Sequence, residues 1–365
     1  MKQPGVCRGG DSYRIKVTPD AFQVYEQLDW SRLPWCSTTR SASQRLLLIE
    51  KQGLNTVDVV AALARGLGVP AVEVGYAGRK DRHALTRQWL SLPNRPEPRV
   101  CEAIQTAEAS LPGGFRVLAQ LGLDRKLRVG ELVGNAFCLS VVVPTRLLAA
   151  ARGAGYSEVE AGLCPLLRRS IARLVQHGFP NRFGSQRLDA AQVQRAERQL
   201  ARRTRRRGAR GRSERERGDR GWALSVLRAH LFNAVLERRL VIDEAMAPLA
   251  GDPLVDGQAS GPLWGRGRPL TTDDCARFEA SVLAPYPNTL SLLEHGGVSH
   301  GRRSLRVWPR RFRARQRAGR LELQFSLPAG SYATELVRSL LMPLGLSECT
   351  TASLSDSGLA SGLKS

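Results

Sequence analysis

The apolar residues of this 365-residue chain follow two different periods, and the order of those periods constrains the fold more than any other feature. Polar and apolar residues alternate in segments 13–17 and 22–25, and short apolar runs follow at 46–49 and 85–92. A period of two is typical of half-buried strands. Between these runs, the apolar spacing after Asn55, a good N-cap, predicts a helix. The first part of the chain is therefore predicted to form a mixed sheet with few helices.

The middle of the chain has the helical period instead. The spacing predicts a helix near residues 168–178 and a long amphipathic helix over 221–240. A strand pattern returns at 321–327 and is followed by a helix that ends at Leu341. A strand that returns after a helical middle suggests that one domain is inserted into another, with the first boundary near residues 177–178.

The charge of the chain indicates its class of partner. Lys and Arg number 55 against 33 Asp and Glu, which leaves a formal net charge of +22. Such an excess attracts polyanions through counterion release, so nucleic acid is the first partner to consider. Segment 202–220 alone holds ten arginines and three acidic residues, and we expect it to be a solvated loop.

Several classes of chemistry have no support in the sequence. The seven cysteines are dispersed without a CxxC pair, which favours neither a zinc site nor a disulfide framework and fits a reducing cytoplasm. Phosphate-loop, dinucleotide-binding, zinc-protease and nucleophile-elbow motifs are all missing. No apolar segment reaches the length of a membrane span. We therefore expect a soluble, cytoplasmic, monomeric protein without a metal, a small-molecule cofactor or a membrane partner.

Asp81 is the strongest candidate for a catalytic residue. It lies between Lys80 and Arg82, just after a turn at Gly78, where a strand end would present side chains to a cleft. Two adjacent cations would keep the carboxylate ionised and ready to act as a nucleophile or base. His83 would point to the same side of an extended segment and could pair with it. A Lys-Asp-Arg triplet on a turn is also a common solvated corner, so that interpretation stays open.

Three further runs combine side chains that suit nucleic acid. Segment 134–137 places an Asn amide beside a Phe ring at the start of a strand, a pairing that suits a flipped base. Segment 179–187 brings aromatics, arginines and amides together in a loop-like run. Segment 327–334 joins a strand end to a helix start, which suits an anion. Each run, taken alone, is also ordinary turn or connector sequence.

Together and in this order, these runs resemble the TruD family of tRNA pseudouridine synthases. The matching blocks are 77–89, 125–130 leading into 134–137, 180–187 and 327–334. The resemblance implies an α+β fold, in which a pseudouridine synthase-type mixed-sheet catalytic domain carries an inserted TruD-specific α/β domain.

The resemblance also implies domain boundaries. The catalytic domain would comprise residues 1–177 and 307–345, and the inserted domain residues 178–306, including the Arg-rich loop 202–220. Residues 346–365 would form a flexible tail.

By the same resemblance, the protein would be an isomerase that converts a uridine of tRNA, at position 13 in the D-arm, to pseudouridine without a cofactor. Asp81 would be its catalytic residue. The residues implied to bind the target nucleotide are Lys16, Phe22, Lys80, Asn135, Phe137 and Tyr332. The candidates for other RNA contacts are Arg182, Phe183, Gln186 and Arg187.

Three alternatives stay open at this point. A non-catalytic RNA-binding or RNA-folding protein could keep the fold and the charge without turnover. A different glycosidic-bond enzyme could use Asp81 and release free base. A basic structural protein would need no carboxylate at all. For the enzyme itself, the sequence leaves open whether Asp81 attacks the sugar or removes a sugar proton.

Overall fold

The computed structural model describes residues 12–144, 147, 163–184, 188–204, 214–317 and 320–349. The chain divides into two compact units. Unit 1 comprises Met1–Ala172, Pro309–Gly330 and Leu340–Ser365, and unit 2 comprises Arg173–Trp308 and Ser331–Ser339. Unit 1 thus draws on segments that precede and follow unit 2 along the chain. Segment Ser331–Ser339 falls in unit 2, whereas the resemblance implies that residues 307–345 belong with the sheet.

A nine-stranded sheet forms the framework of unit 1 within the described residues. Its strands are β2 (Phe22–Leu28), β3 (Trp35–Cys36), β4 (Gln44–Gln52), β5 (Gly75–Tyr76), β6 (Leu85–Pro93), β7 (Gly114–Leu123), β8 (Leu132–Val142), β13 (Arg310–Arg317) and β14 (Arg320–Pro328). Their spatial order is β13-β14-β8-β2-β6-β4-β7-β3, and β5 pairs with β6. The sheet is mixed because β2 runs parallel to β6, whereas its other pairings are antiparallel. The predicted mixed sheet is therefore confirmed.

Two helices cover part of one face of this sheet. Helices α1 (Thr56–Leu67) and α2 (Glu97–Ser110) form a buried apolar cluster with Leu47 of β4 and Leu90 of β6. The helix predicted after Asn55 is confirmed, and it ends where Gly68 adopts a left-handed φ of 68°. Burial of this continuous apolar face fixes the register of the central strands.

The register also shows which other side chains share the helix-covered face. Val24 pairs with Thr86 and with Phe137, and Thr86 pairs with Lys51. Because side chains alternate between the two faces of a strand, Lys51 shares its face with Leu47. Phe137 therefore lies on the same side of the sheet as the helices. The opposite face carries a smaller apolar cluster that includes Leu46, Trp89 and Leu123.

The remaining elements are short strands and helices. The further strands are β1 (Ser12–Tyr13), β9 (Phe179–Pro180), β10 (Ser260–Leu263), β11 (Gly301–Ser304), β12 (Arg306–Val307) and β15 (Ser347–Glu348). The further helices are α3 (Pro165–His177), α4 (Ala190–Thr204), α5 (Glu214–Ile242), α6 (Asp273–Leu283), α7 (Pro287–Glu294) and α8 (Ala333–Leu341). The predicted strand 13–17 is reduced to β1 and one bridge from Arg14 to Val142.

Unit 2 is organised around the long helix α5. Leu224, Leu227 and Leu231 of α5 pack with Leu200 of α4 and with apolar residues of α6 and α7. The prediction that 202–220 is a loop is wrong at both ends, because α4 extends to Thr204 and α5 begins at Glu214. Residues 205–213 lie outside the described residues, as do Ser185, Gln186 and Arg187.

Two features are absent from the described ranges. No helix there combines the length and apolar character that a membrane span requires. No three His, Cys, Asp or Glu side chains in those ranges gather in a way that would hold a metal ion.

Candidate active site

Asp81 lies in the segment that joins β5 to β6 in unit 1, and hydrogen bonds fix this segment on either side of it. The N–H of Lys80 donates to Oγ1 of Thr56 at the start of α1, at 2.9 Å. The carbonyl of Arg82 accepts from the N–H of Gly53 at 3.1 Å. Asp81 is therefore held between two anchored neighbours, at the carboxyl end of β4 and the N-terminus of α1.

A buried lysine supports the same segment from inside. Lys51, the last but one residue of β4, has no solvent exposure. Its Nζ donates to the carbonyls of Leu54 at 2.7 Å, Asp81 at 3.1 Å and Lys80 at 3.5 Å. Burial lowers the pKa of Lys51 to about 8, although the charge of Asp81 opposes the shift. Lys51 thus ties the backbone of Asp81 to the strand beneath it.

The carboxylate of Asp81 has two donors. Lys16 forms an ion pair with Oδ2, and the backbone N–H of His83 donates to Oδ1 at 3.0 Å. Burial alone would raise the pKa of Asp81, but the hydrogen bond and charge of Lys16, with those of His83, outweigh it and hold this pKa below its ordinary value. The side chain remains 34% exposed, so the ionised carboxylate is accessible.

Lys16, rather than the sequence neighbours, is the cation that keeps Asp81 ionised. We expected Lys80 and Arg82 to do so, and this expectation is wrong. The ammonium group of Lys80 is buried and pairs with Glu26, whose other oxygen accepts the Trp89 N–H at 2.9 Å. Burial raises the pKa of Glu26, against the effect of Lys80.

The side chains next to Asp81 in sequence also point to other partners. Arg82 donates from Nε to the carbonyl of Gly53 at 2.9 Å. His83 contacts the Asp81 carboxylate through its backbone N–H rather than through the predicted ring pairing. The chemistry of the carboxylate is therefore set by a residue 65 positions away in sequence, Lys16.

Three aromatic rings, which we call the aromatic wall, lie next to the ion pair of Lys16 and Asp81; they belong to Phe22, Phe137 and Phe325. The Lys16 ammonium lies 4.6 Å from the centroid of the Phe22 ring, which meets Phe137 edge-on at 6.3 Å. Phe137 stacks on Phe325 of β14 at 5.3 Å. Phe325 was not among the predicted site residues, although its place in the predicted strand 321–327, two residues before Leu327, marks it as inward-facing. The structure thus brings Lys16, Phe22, Asp81 and Phe137 together.

Asn135 lies two residues before Phe137 on β8 and therefore on the same face. Its Oδ1 is buried and has no hydrogen-bond partner among the described residues. Buried amide oxygens are nearly always paired in native proteins, so an unpaired one on this wall is suited to a donor from a ligand.

In unit 2, Phe183 and Tyr332 form a second aromatic group. Their ring centroids are 6.1 Å apart, and the guanidinium of Arg303 lies 4.1 Å from the centroid of Phe183. Arg303, which the sequence analysis missed, also donates to the backbone carbonyl of Asn181 at 3.1 Å. Burial lowers the pKa of Arg303 to about 10, against the effect of Tyr332.

The other RNA-contact candidates are less accessible in the structure or lie outside it. Arg182 forms an ion pair with Glu237, and its side chain is only 16% exposed. Phe183 packs edge-on against Phe232 at 5.4 Å. Gln186 and Arg187 lie outside the described residues.

Comparisons with known proteins agree on one family. Residues 8–195 match the family model for tRNA pseudouridine synthase D (TruD). The chain is 34% identical over 333 residues to a Cellvibrio japonicus protein named tRNA pseudouridine synthase D, covering 90% of this chain and 88% of that protein. It is 32% identical to the protein of the same name from Shewanella oneidensis, covering 84% and 81%.

A solved structure shares the fold. A Methanosarcina mazei crystal structure assigned as tRNA pseudouridine synthase D superposes with a TM-score of 0.57 and 16% sequence identity. The match covers 92% of this chain and 95% of that one. The sheet with its helices is therefore a pseudouridine synthase fold. With the family model and the relatives taken together, this chain belongs to the TruD family of tRNA pseudouridine synthases.

Proposed function

We propose that this protein isomerises a uridine of tRNA to pseudouridine, and that the carboxylate of Asp81 carries out the chemistry. The observation that carries the proposal is the pairing of an accessible, ionised Asp81 with Lys16 beside the wall of Phe22 and Phe137. Family membership supplies the reaction class, since the relatives are named as tRNA pseudouridine synthases.

The reaction requires a nucleophile or base at the sugar and a hold on the free base. The N1–C1′ bond breaks, the uracil turns while bound, and C5 joins C1′, so that atoms are rearranged without net oxidation or reduction. Asp81 acts at the sugar, either by attack at C1′ or by removal of a sugar proton. Its lowered pKa keeps it ionised at neutral pH, as both roles require.

The target uridine must leave its stack to reach Asp81. Aromatic faces replace the lost stacking, and each such contact contributes about 1–3 kcal/mol. We assign the aromatic contact with the base to Phe22 and Phe137, which are 5% and 6% exposed in the structure, and the hydrogen bond to the base to Oδ1 of Asn135. We leave Lys80 out of the substrate-binding set, because its ammonium is committed to the buried Glu26.

The finer assignments also remain part of the proposal. The target is uridine 13 of the D-arm. Unit 1 is the catalytic domain, and unit 2 with Tyr332 is the family-specific insertion that contacts RNA around the target. Residues Arg182, Phe183, Gln186 and Arg187 remain candidates for that contact. The protein is expected to be cytoplasmic and to act as a monomer.

The direct test is Asp81→Asn, assayed by tritium release from tRNA labelled at uridine C5. We expect turnover to fall on the order of 10³-fold or more, with tRNA affinity nearly unchanged, because the amide keeps the shape and loses the negative charge. Asp124→Asn is the matched control, since Asp124 is an exposed carboxylate of unit 1. Full turnover by the Asp81→Asn variant would disprove the assignment.

Analysis of the products of the same reaction separates the alternative functions. Release of free uracil, seen by chromatography, would identify a glycosidic-bond hydrolase. Binding of tRNA by the wild-type protein without tritium release would identify a non-catalytic RNA-binding protein. Sequencing of the modified tRNA then tests position 13, because pseudouridine at another position would refute that site while leaving the activity in place.

A further inference from the structure

A row of arginines runs along one side of the edge strand of the unit 1 sheet. Strand β13 is the terminal strand of the sheet order, and it pairs only with β14 among the described strands. Register pairs join Arg313 to Gln324, Arg315 to Glu322 and Arg317 to Arg320. The residues between them, Phe312, Ala314 and Gln316, are less exposed and face the other way. A bulge separates this stretch from Arg310, which pairs with Ser326.

This row lies on the face of the sheet opposite to the candidate active site. Gln324, the partner of Arg313, pairs in turn with Cys138 of β8. Cys138 is adjacent to Phe137, so their side chains point to opposite faces. The arginines therefore share the face of Cys138, whereas Phe22, Asn135 and Phe137 share the other. The proposed target-binding residues of unit 1 do not account for the row.

The face is strongly basic and open. Arg310, Arg313, Arg315, Arg317 and Arg320 are all exposed. One carboxylate, Glu322, lies among them, and none of the five arginines forms an ion pair within the described ranges. The same face is also partly open two strands further in, because Cys138 and Ser140 of β8 are only half-buried. Five arginines with one glutamate leave a concentrated positive charge on this part of the described surface.

Protection of a sheet edge does not explain this composition. Charged side chains on edge strands, lysine above all, hinder the pairing of one molecule with another, and this role requires neither arginine nor a regular repeat. The row instead repeats arginine at every second residue on a single face. Arginine offers a planar fork of donors that matches phosphate oxygens, and alternate strand residues are about 6.7 Å apart. The guanidinium groups are therefore expected to lie in a row along one side of the strand, rather than scattered over the surface.

We propose that this arginine row, defined as Arg310, Arg313, Arg315, Arg317 and Arg320, binds the phosphodiester backbone of tRNA away from the target uridine. The inference rests on the proposed function for the identity of the RNA. The contacts are to phosphate, so they add affinity without sequence preference. They raise the affinity for a full tRNA and leave the chemical step at Asp81 unchanged.

The test compares two triple variants of the full-length protein with equal net charge. The row variant carries Arg313→Gln, Arg315→Gln and Arg317→Gln. The control carries Arg65→Gln, Arg95→Gln and Arg99→Gln, which removes three exposed arginines on or beside the helices of the other face. Tritium release gives KM and kcat for tRNA, and filter binding over a range of KCl gives the dependence of affinity on salt.

For the row variant we expect KM to rise about tenfold or more with kcat within twofold of wild type. The slope of log affinity against log salt should fall by about 2 to 3, that is, by about 0.7–0.9 for each of the three phosphates that the variant no longer binds. The control variant should change neither quantity by more than about twofold. Replacement of the same three arginines by lysine should restore most of the affinity, because the charge is kept.

The outcomes are distinguishable from failure of the proposed function. If wild-type protein makes pseudouridine in tRNA and the row variant keeps its KM and its salt slope, the inference is wrong. It is also wrong if the row variant only self-associates on gel filtration, since the arginines would then protect the edge. An inactive wild-type protein would refute the proposed function, and the salt slopes for tRNA binding would still decide the inference.

Discussion

Lys16 connects the two halves of the candidate active site at the scale of single residues. Its ammonium pairs with Asp81 and lies over the Phe22 ring. Its backbone has a φ of 59°, in the left-handed region that non-glycine residues seldom adopt. Strain of this kind is tolerated when the surrounding contacts hold it. One lysine therefore sets both the charge of the acid and the position of the first aromatic ring.

Replacement of Lys16 by methionine should change the pH dependence of the reaction. The pKa of Asp81 lies below its ordinary value because of Lys16, and burial alone would raise it. Without Lys16 the pKa rises, so the carboxylate is lost at a higher pH on acidification. The acidic limb of the kcat/KM profile should move to higher pH, with a larger loss of activity at about pH 5 than at about pH 7.5. Lys16→Arg keeps the charge and serves as the control, and an acidic limb that stays in place would refute this role.

Lys51 gives a second prediction, which concerns stability. Its pKa falls from 10.5 to about 8 on folding, so between these values the unfolded chain binds more protons than the folded one. Stability attributable to this site therefore rises with pH from about 8 to 10.5, by roughly 3 kcal/mol at most. Urea unfolding of wild type and Lys51→Met across that range measures it. The wild type should gain stability relative to the variant as pH rises, and a constant difference would contradict the prediction.

At the scale of elements, the buried pair of Glu26 and Lys80 joins β2 to the segment that carries Asp81. Both side chains are at most 5% exposed, and the Trp89 N–H on β6 completes the carboxylate's bonding. Burial and pairing of this kind fix geometry more than they add stability. The pair thus determines where the Asp81 segment leaves the sheet.

A double-mutant cycle tests this connection. Glu26→Leu and Lys80→Met should each destabilise the protein by about 3–5 kcal/mol, because each leaves one buried charge without a partner. The combination of Glu26→Leu with Lys80→Met should cost far less than the sum of the single changes and should still lower kcat, because the Asp81 segment loses an anchor. Thermal unfolding and tritium release provide the two measurements, and simple additivity would show that the pair does not interact.

Sequence periodicity predicted the elements that have a simple pattern. Strands β2, β6 and β14 contain the predicted runs, and α1 begins after the predicted cap. Helix α2 was missed because its buried stripe, Val100, Ala103, Ile104 and Ala107, is half alanine and carries little hydrophobic signal. Strand β13 was missed because its alternating arginines read as a charge run rather than as a period of two.

In the candidate site, too, residues in local motifs were predicted, and contacts between distant segments were not. Asp81, Asn135, Phe137 and Phe22 were found because they lie in short motifs. The Asp81 partner Lys16, predicted only as a substrate-binding residue, and the support from Lys51 depend on strand pairing between distant segments. No local pattern in one sequence specifies such pairs, so the roles of Lys80 and Lys16 could be assigned only from the structure.

At the scale of the whole molecule, the net charge of +22 should dominate RNA binding. The affinity of the Asp81→Asn variant for tRNA, measured by filter binding, should fall by about 10³-fold or more between about 50 and 200 mM KCl if six or more phosphates are contacted. Kinetic measurements on wild type should show the same rise in KM with a nearly constant kcat. An affinity that hardly changes with salt would contradict a binding mode based on phosphate contacts.

The discontinuous sheet of unit 1 has a consequence for how the protein is made. Strand β8 is flanked by β2 and by β14, yet roughly 180 residues separate β8 from β14 along the chain. At about 5–20 residues per second, the ribosome needs roughly 10–35 s to supply that missing neighbour. During this interval the nascent chain exposes an unpaired strand edge, which is a template for aggregation. We therefore expect the edge of β8 to need protection during synthesis, by a chaperone or by the ribosome itself, until β14 has emerged.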